Sequence, residues 1–288
     1  MKKARHHDSY FRDVLDRLKA HRLAMVGLTI LILEIFAVIF LPLILGSDPI
    51  TTDPTAFGAA PSAEHWLGTD LVGRDLLARL LYGGRVSMFV GICSTVISIL
   101  IGVPLGIIAG YYGGALEFTI MRFADIFMSF PAIVLILVLV SVTGPSIASV
   151  TMVIGILGWP QFARLIYGNV LSVRRKEYVE SARALGTKDL EIIARYIFPN
   201  AFQPVLIAGT FRTASAIILE SSLSFLGMGV RPPNASWGNL LYDARSISVL
   251  ADKPYMWVPA GLAMVITVLS INFFGDGVRD ALDPKMKV

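Results

Sequence analysis

Apolar residues gather into six runs, over 23–45, 86–109, 118–142, 146–162, 204–228 and 256–274. About 20 residues of helix are needed to cross a bilayer, so the pattern predicts six transmembrane helices, the fourth run being the shortest. Interruptions are few: Glu34 and Pro42 in the first run, Arg122 and Asp125 in the third. The first run is too long for the apolar part of a signal peptide, and Gly46-Ser47-Asp48 supplies no small-x-small cleavage site, so it is expected to remain as a span. Ahead of it, Tyr10, Phe11, Val14, Leu15 and Leu18 recur at helical spacing among Arg12, Asp13, Asp16, Arg17 and Lys19. That spacing predicts a short amphipathic helix on the inner membrane face.

The pattern divides the chain into an amphipathic segment over 1–22, a first span over 23–45 and an external loop over 46–84. A five-helix core follows over 85–276, carrying a long cytoplasmic loop over 164–199, and a cytoplasmic tail closes the chain over 277–288.

Composition narrows the class. The 288 residues are 55% hydrophobic and 16% charged, with mean hydropathy +0.68. A soluble domain carries about 25% charged residues, so a compact soluble enzyme is excluded and the fold class is all-α integral membrane protein. One cysteine, Cys93, excludes an internal disulfide and a cysteine-based zinc site. The net charge of +4 could suit nucleic acid, but the distribution says otherwise. With both termini inside, eighteen of the 25 Lys and Arg fall on cytoplasmic pieces, six on the opposite side, and Arg212 within a span. Such a positive-inside bias reports topology, and no nucleic-acid partner is expected.

Chemistry is sparse. No G-x-x-x-x-G-K-[ST] occurs, so no P-loop binds nucleotide here. His6, His7, His21 and His65 all lie outside the spans, and no Ser/His/Asp set is placed to act as a catalytic unit. The chain reads as non-catalytic, binding no metal or cofactor of its own. Three ionisable residues lie inside spans: Glu34, Arg212 and Glu220. Intramembrane charge is a functional hypothesis by default. Arg212 and Glu220 either line a translocation path or pair at a helix or subunit interface. Glu34 is expected to meet another subunit or to be partly protonated. A proton- or sodium-driven secondary carrier usually needs a relay of such groups, and three scattered ones support that class weakly.

The stretch from Lys176 to Asn200 differs from the other loops. Tyr178, Ala182 and Leu185 fall at i, i+4 and i+7, which predicts a short amphipathic helix ended by Gly186. Thr187 is placed to cap a second helix, with Asp189 and Glu191 in its first turn, a stripe of Leu190, Ile193 and Ile197, and Pro199 closing it. The product is a helix–glycine–helix elbow between two spans. Ser181, Ala182 and Ala184 keep one surface slim enough for a partner's groove.

Glu180-Ser-Ala-Arg-Ala-Leu-Gly186, followed after nine residues by Tyr196-Ile-Phe-Pro199, resembles the EAA motif of ABC importer permeases, E-A-A, three residues, Gly, nine residues, I-x-L-P. Ser181, Tyr196 and Phe198 depart mildly from it. Further stretches are similar to the C-type subunits of dipeptide, oligopeptide and nickel permeases: His65-Trp-Leu-Gly-Thr-Asp-Leu-Val-Gly-Arg-Asp75, Met121-Arg-Phe-Ala-Asp125 with Ser129-Phe-Pro131, Ser224-Phe-Leu-Gly-Met-Gly-Val230 with Pro232-Pro233 and Ser236-Trp-Gly238, and Gly275 to Pro284.

The resemblance implies a type I ABC importer permease fold in a bacterial or archaeal plasma (inner) membrane. It also implies a homologous permease subunit as heterodimer partner, one or two ATPase subunits that hold ATP and Mg, and an extracytoplasmic binding protein. The elbow residues Tyr178, Glu180, Ala182, Leu185 and Gly186 are then expected to couple to the ATPase. Asp70, Arg74, Asp75 and Trp237 are expected at the external gate or the binding-protein contact. Peptides lead as substrate, chelated nickel is the alternative, and glutathione and oligosaccharides remain open.

Overall fold

The computed structural model describes residues 4–46 and 48–282, with side chains from Arg12 onward. Met1–Lys3 of the amphipathic segment, the side chains of Tyr10 and Phe11, Ser47, and residues 283–288 of the tail lie outside the described part. The described residues are almost entirely helical, with only two isolated β-bridges.

Helix α1 (Ala4–Ala20) half-buries Val14 and Leu18, and the Leu18 side chain packs near Gly277 of the last helix. His21 then caps α2 (Arg22–Leu45), accepting from the Ala24 amide at 3.1 Å. Pro42 inside α2 lacks the N–H that would bond the Val38 carbonyl. Arg85 of the next helix takes that carbonyl with Nε and the Ile39 carbonyl with Nη2, the latter at 2.7 Å. Gly27 of α2 lies against the Ser270 carbonyl, and Glu34 accepts from Thr267 Oγ1 at 2.9 Å. Glu34 therefore has one hydrogen-bond partner within the chain.

Helix α3 (Leu76–Tyr112) is the axis of the molecule. Its 37 residues span about 55 Å at 1.5 Å per residue, well beyond a bilayer's hydrocarbon core. It begins at Leu76, inside the segment expected as external loop, because Asp75 caps the Ala78 amide at 2.8 Å. Gly102, Gly106 and Gly110 form a small-residue stripe against which the fourth long helical segment packs. A Cβ on Gly102 would stand 2.5 Å from the Trp159 carbonyl, and one on Gly110 2.8 Å from Val170 Cβ. Small residues at four-residue spacing let helix backbones approach closely in membranes.

The third apolar run, expected as one span over 118–142, is broken into α4 (Gly114–Ser129) and α5 (Ala132–Thr143), which meet at 90°. The cause is local: Phe130 precedes Pro131 and is driven to extended φ −97°, ψ 144°. The fourth run extends instead. Helices α6 (Ile147–Leu157) and α7 (Trp159–Arg174) join at Gly158 into one 28-residue segment, so Arg164 sits on a helix rather than in a loop.

Beyond Arg174 come α8 (Glu177–Ala184), α9 (Asp189–Ile192), a wide helical turn (Ile193–Ile197) and α10 (Phe198–Ala201), leading into α11 (Gln203–Phe225) across a 55° bend. The helix runs past Pro199, which does not close it: the proline sits in the first turn of α10, where a missing N–H is tolerated. Short helices α12 (Trp237–Tyr242) and α13 (Ile247–Asp252) precede α14 (Val258–Leu282). Among the described residues, four segments are long and apolar enough to cross a membrane, namely α2, α3, α6–α7 and α14, and six if each bent pair also crosses.

Candidate functional site

The elbow is built on backbone chemistry. Helix α8 places Glu177 and Glu180 in its first turn, where carboxylates favour the helix dipole. Gly186 adopts φ +77° and closes the helix. Its N–H bonds the Arg183 carbonyl at 3.0 Å, and the Thr187 N–H reaches back to Ala182 at 3.1 Å. Thr187 thus completes the end of α8, while Lys188 occupies the capping position of α9 without a side-chain bond.

One side of the elbow is fastened to the body. Val179, Ala182, Ile192 and Ile197 are buried in a cluster with Val103, Ile107 and Tyr111 of α3 and Phe162, Ile166 and Val170 of α7. The Tyr111 hydroxyl donates to Asp189 at 2.6 Å, and the Arg183 guanidinium lies over the Tyr111 ring at 5.6 Å.

The apolar stripes are shifted from the expected ones. Helix α8 ends at Ala184, so Leu185 lies past its last turn and is 86% exposed, and Tyr178 faces outward beside Tyr196. The wide turn brings Ile192 and Ile197 to one side, leaving Leu190 77% exposed. Ala182, expected to approach a partner, is buried in the chain's own core, whereas Ser181, Ala184 and Gly186 are exposed. The free surface of the elbow therefore includes Tyr178, Glu180, Leu185, Gly186 and Leu190.

Glu220 and Arg212 share α11 but do not pair. Glu220 is fully buried and accepts from Ser87 Oγ at 2.9 Å, Ser224 Oγ at 2.7 Å and Ser221 Oγ at 3.4 Å. Ser87 Oγ accepts from the Trp237 amide at 3.2 Å, and Ser224 Oγ from the Val230 amide at 3.3 Å. Each buried polar group so placed has a partner, as a low-dielectric interior requires. The knot ties α3, α11 and the 226–237 segment together. Arg212 Nη2 donates to the Ile154 carbonyl at 3.2 Å, beside the break at Gly158.

The segment over 48–75 is held by bonds within itself and by Lys253 and Tyr255, which donate to the Gly58 carbonyl at 3.0 and 2.7 Å. Asp70 is buried, ion-paired with Arg74 Nε at 2.7 Å and Arg79 Nε at 3.3 Å, and accepts the amides of Val72 and Arg74. Asp75 caps α3 and meets His65 Nδ1 at 2.9 Å. Trp237 is buried, its Nε1 donating to the Leu80 carbonyl at 3.1 Å. Asp70, Arg74, Asp75 and Trp237 thus hold the loop in shape; its exposed large apolar groups are Ile50, Phe57, Trp66, Leu71 and Val72. Apolar residues beside the glycine–aspartate turns were the available sequence signal for that face.

His65 bridges this segment, with Nε2 lying 3.8 Å from Asp53. The hydrogen bond to Asp75 holds its imidazole above the ordinary histidine pKa, against a partial opposing effect of burial. Stabilisation from this bridge is complete below about pH 6.5 and fades as pH rises through the raised value of the folded chain. Amide hydrogen exchange over 53–75, corrected for the intrinsic pH dependence, is expected to be slower at pH 5.5 than at 8.5, and His65→Gln should remove the difference. Equal protection at both pH values in the unaltered chain would show that the bridge carries no such load.

Comparison with known proteins places this architecture. Residues 102–288 match the family described as binding-protein-dependent transport system inner membrane component, and residues 9–61 match the N-terminal TM domain of oligopeptide transport permease C. The chain is 39% identical to the dipeptide transport system permease protein of Alkalihalophilus pseudofirmus, covering 97% of this chain and 91% of that one. It is 38% identical to the oligopeptide transport system permease protein of Bacillus subtilis, with 97% and 91% covered. With the glutathione transport system permease protein of Pectobacterium atrosepticum it shares 43% identity over 79% and 75%. In fold it is similar to a chain of the MetNI methionine ABC transporter in an inward-facing form, at TM-score 0.59 and 20% identity, covering 71% of this chain and 97% of that one.

Proposed function

The chain belongs to the family of inner membrane components of binding-protein-dependent transport systems, and on that footing we propose that it is one of two homologous permease subunits of an ATP-driven importer for di- and oligopeptides. Relatives named for dipeptides, oligopeptides and glutathione favour peptides over nickel. The chain carries no catalytic step. ATP and Mg are held by separate ATPase subunits, and an extracytoplasmic binding protein delivers the substrate. In this reading the two bent helix pairs complete six spans and both termini face the cytoplasm.

The observation that carries the coupling role is the elbow. Its inner side is packed onto α3 and α7, and its outer side leaves Tyr178, Glu180, Leu185 and Gly186 unburied. A helix fastened to the transmembrane axis and free on its far face transmits a push. ATP binding closes the ATPases, draws the elbows of the two permeases together and opens the path outward; hydrolysis reverses this. ATP and loaded binding protein must each favour the outward state, since equal affinity for both states shifts nothing. Glu220 acts in the same reading as an internal latch beside the path. On the outer side, Asp70, Arg74, Asp75 and Trp237 shape the surface that meets the binding protein instead of touching it.

Affinity isolation in mild detergent tests the assignment. A second multi-span permease and one or two P-loop ATPases are expected to co-purify. Recovery of the chain alone, or as a homo-oligomer, would return a secondary carrier to the front.

A further inference from the structure

Arg212 stands near the middle of α11 and has no acidic partner among the described residues. A guanidinium carries five N–H donors. One bonds the Ile154 carbonyl, and Nε is buried with no acceptor among the described residues. A cation left this way inside a bilayer costs several kcal/mol unless an anion joins it. Beside it, between α7 and α11, opens a cavity of about 320 Å³ lined by Gln161, Phe162, Ala208, Phe211, Arg212 and Ser215. Its polar groups other than Arg212 are neutral, and Gln161 and Ser215 are exposed. A second cavity of about 320 Å³ follows along the same helix, where Ser221 and Ser222 join apolar walls from Ile218, Phe225 and Met264.

A cavity of this size has room for the end of a small ligand. We propose that Arg212 binds the free carboxylate of a peptide in transit, with Gln161 and Ser215 completing a polar subsite in an otherwise apolar lane along α11. Planar guanidinium and carboxylate match in geometry and make short, charge-assisted bonds. An acidic side chain of the second permease is the competing source of an anion, and the test separates the two.

This inference rests on the peptide-importer reading. The complete importer, reconstituted in vesicles, is supplied with binding protein preloaded with alanyl-phenylalanine or with its C-terminal amide. Arg212→Gln is expected to slow uptake of the free peptide by roughly 10- to 100-fold, the range of a lost charged hydrogen bond, and uptake of the amide by less than about twofold. Arg212→Lys, which keeps the charge but loses the fork, should retain an intermediate rate for the free peptide. Because the same binding protein serves every variant, its own preference cancels in the ratio, as does any loss of folded protein. Equal slowing of both peptides, or none, overturns the proposal. So does loss of co-purification with the second permease in Arg212→Gln, which would mark a subunit-interface pair. Failure of the unaltered importer to take up either peptide overturns instead the reading beneath it.

Discussion

Replacing Gly186 with valine is expected to leave the chain inserted and assembled with its partners, yet to cut ATP-driven uptake by about tenfold or more while ATP hydrolysis persists. No atom lies within 4 Å of where a Cβ would stand at Gly186, so the new side chain meets no clash. The backbone carries the whole effect. At φ +77° an L-residue costs about 1–2 kcal/mol, and a β-branched one more. The elbow escapes that strain by re-aiming α9 relative to α8, which moves Glu180 and Leu185 away from Leu190. Asparagine, which tolerates the left-handed region, should retain most of the coupling. Paired measurement of uptake and phosphate release in proteoliposomes decides the matter. Wild-type uptake by Gly186→Val, or a parallel fall in both activities, would remove the elbow from the coupling path.

The larger effect on stability falls at Gly106. A Cβ there would collide with the Ile166 side chain and with the Ala163 carbonyl, which is backbone and cannot rotate away. Gly106→Val must therefore push α7 off α3, at a cost of about 3 kcal/mol or more. The same interface seats the elbow, because Val103, Ile107 and Tyr111 on α3 pack with Val179 and Ile192. Steady-state amounts of the variant in the membrane fraction should fall to about a tenth or less of normal, as marginal stability is translated into abundance. Normal abundance together with an unchanged unfolding temperature in detergent would show that α7 is held by other contacts.

What was legible in the sequence follows from which forces act locally. Apolar length located α2, α3, α6–α7 and α14, since hydrocarbon thickness sets the length a spanning helix needs. Gly186 as the end of the first elbow helix was legible because backbone conformation there depends on one residue, whereas Pro199 did not end the second. The break at Phe130-Pro131 was equally local, yet it hid inside an apolar run whose hydropathy does not register a bend. The packing stripe of Gly102, Gly106 and Gly110 was not read from the sequence, and only contact with α7 gives it meaning. Least legible was the direction of polar side chains. Asp70 and Trp237 look like surface groups in sequence and are buried because Arg74, Arg79 and the Leu80 carbonyl lie in wait for them. Ala182 misled for a related reason: an eight-residue helix has too little length for its period to fix which face turns inward.

The joints of α2 bear on how permeases of this kind can be recombined. Family descriptions treat the region over 9–61 and the region over 102–288 as separate units. Here the first unit is keyed to the rest by three unlike fittings: the close approach of Gly27 to Ser270, the Glu34–Thr267 hydrogen bond, and Arg85 filling the carbonyl that Pro42 leaves open. A chimera that borrows this helix from a relative must carry matching halves of all three. What two separate family matches leave as a gap in the chain is, in this molecule, a mortised joint.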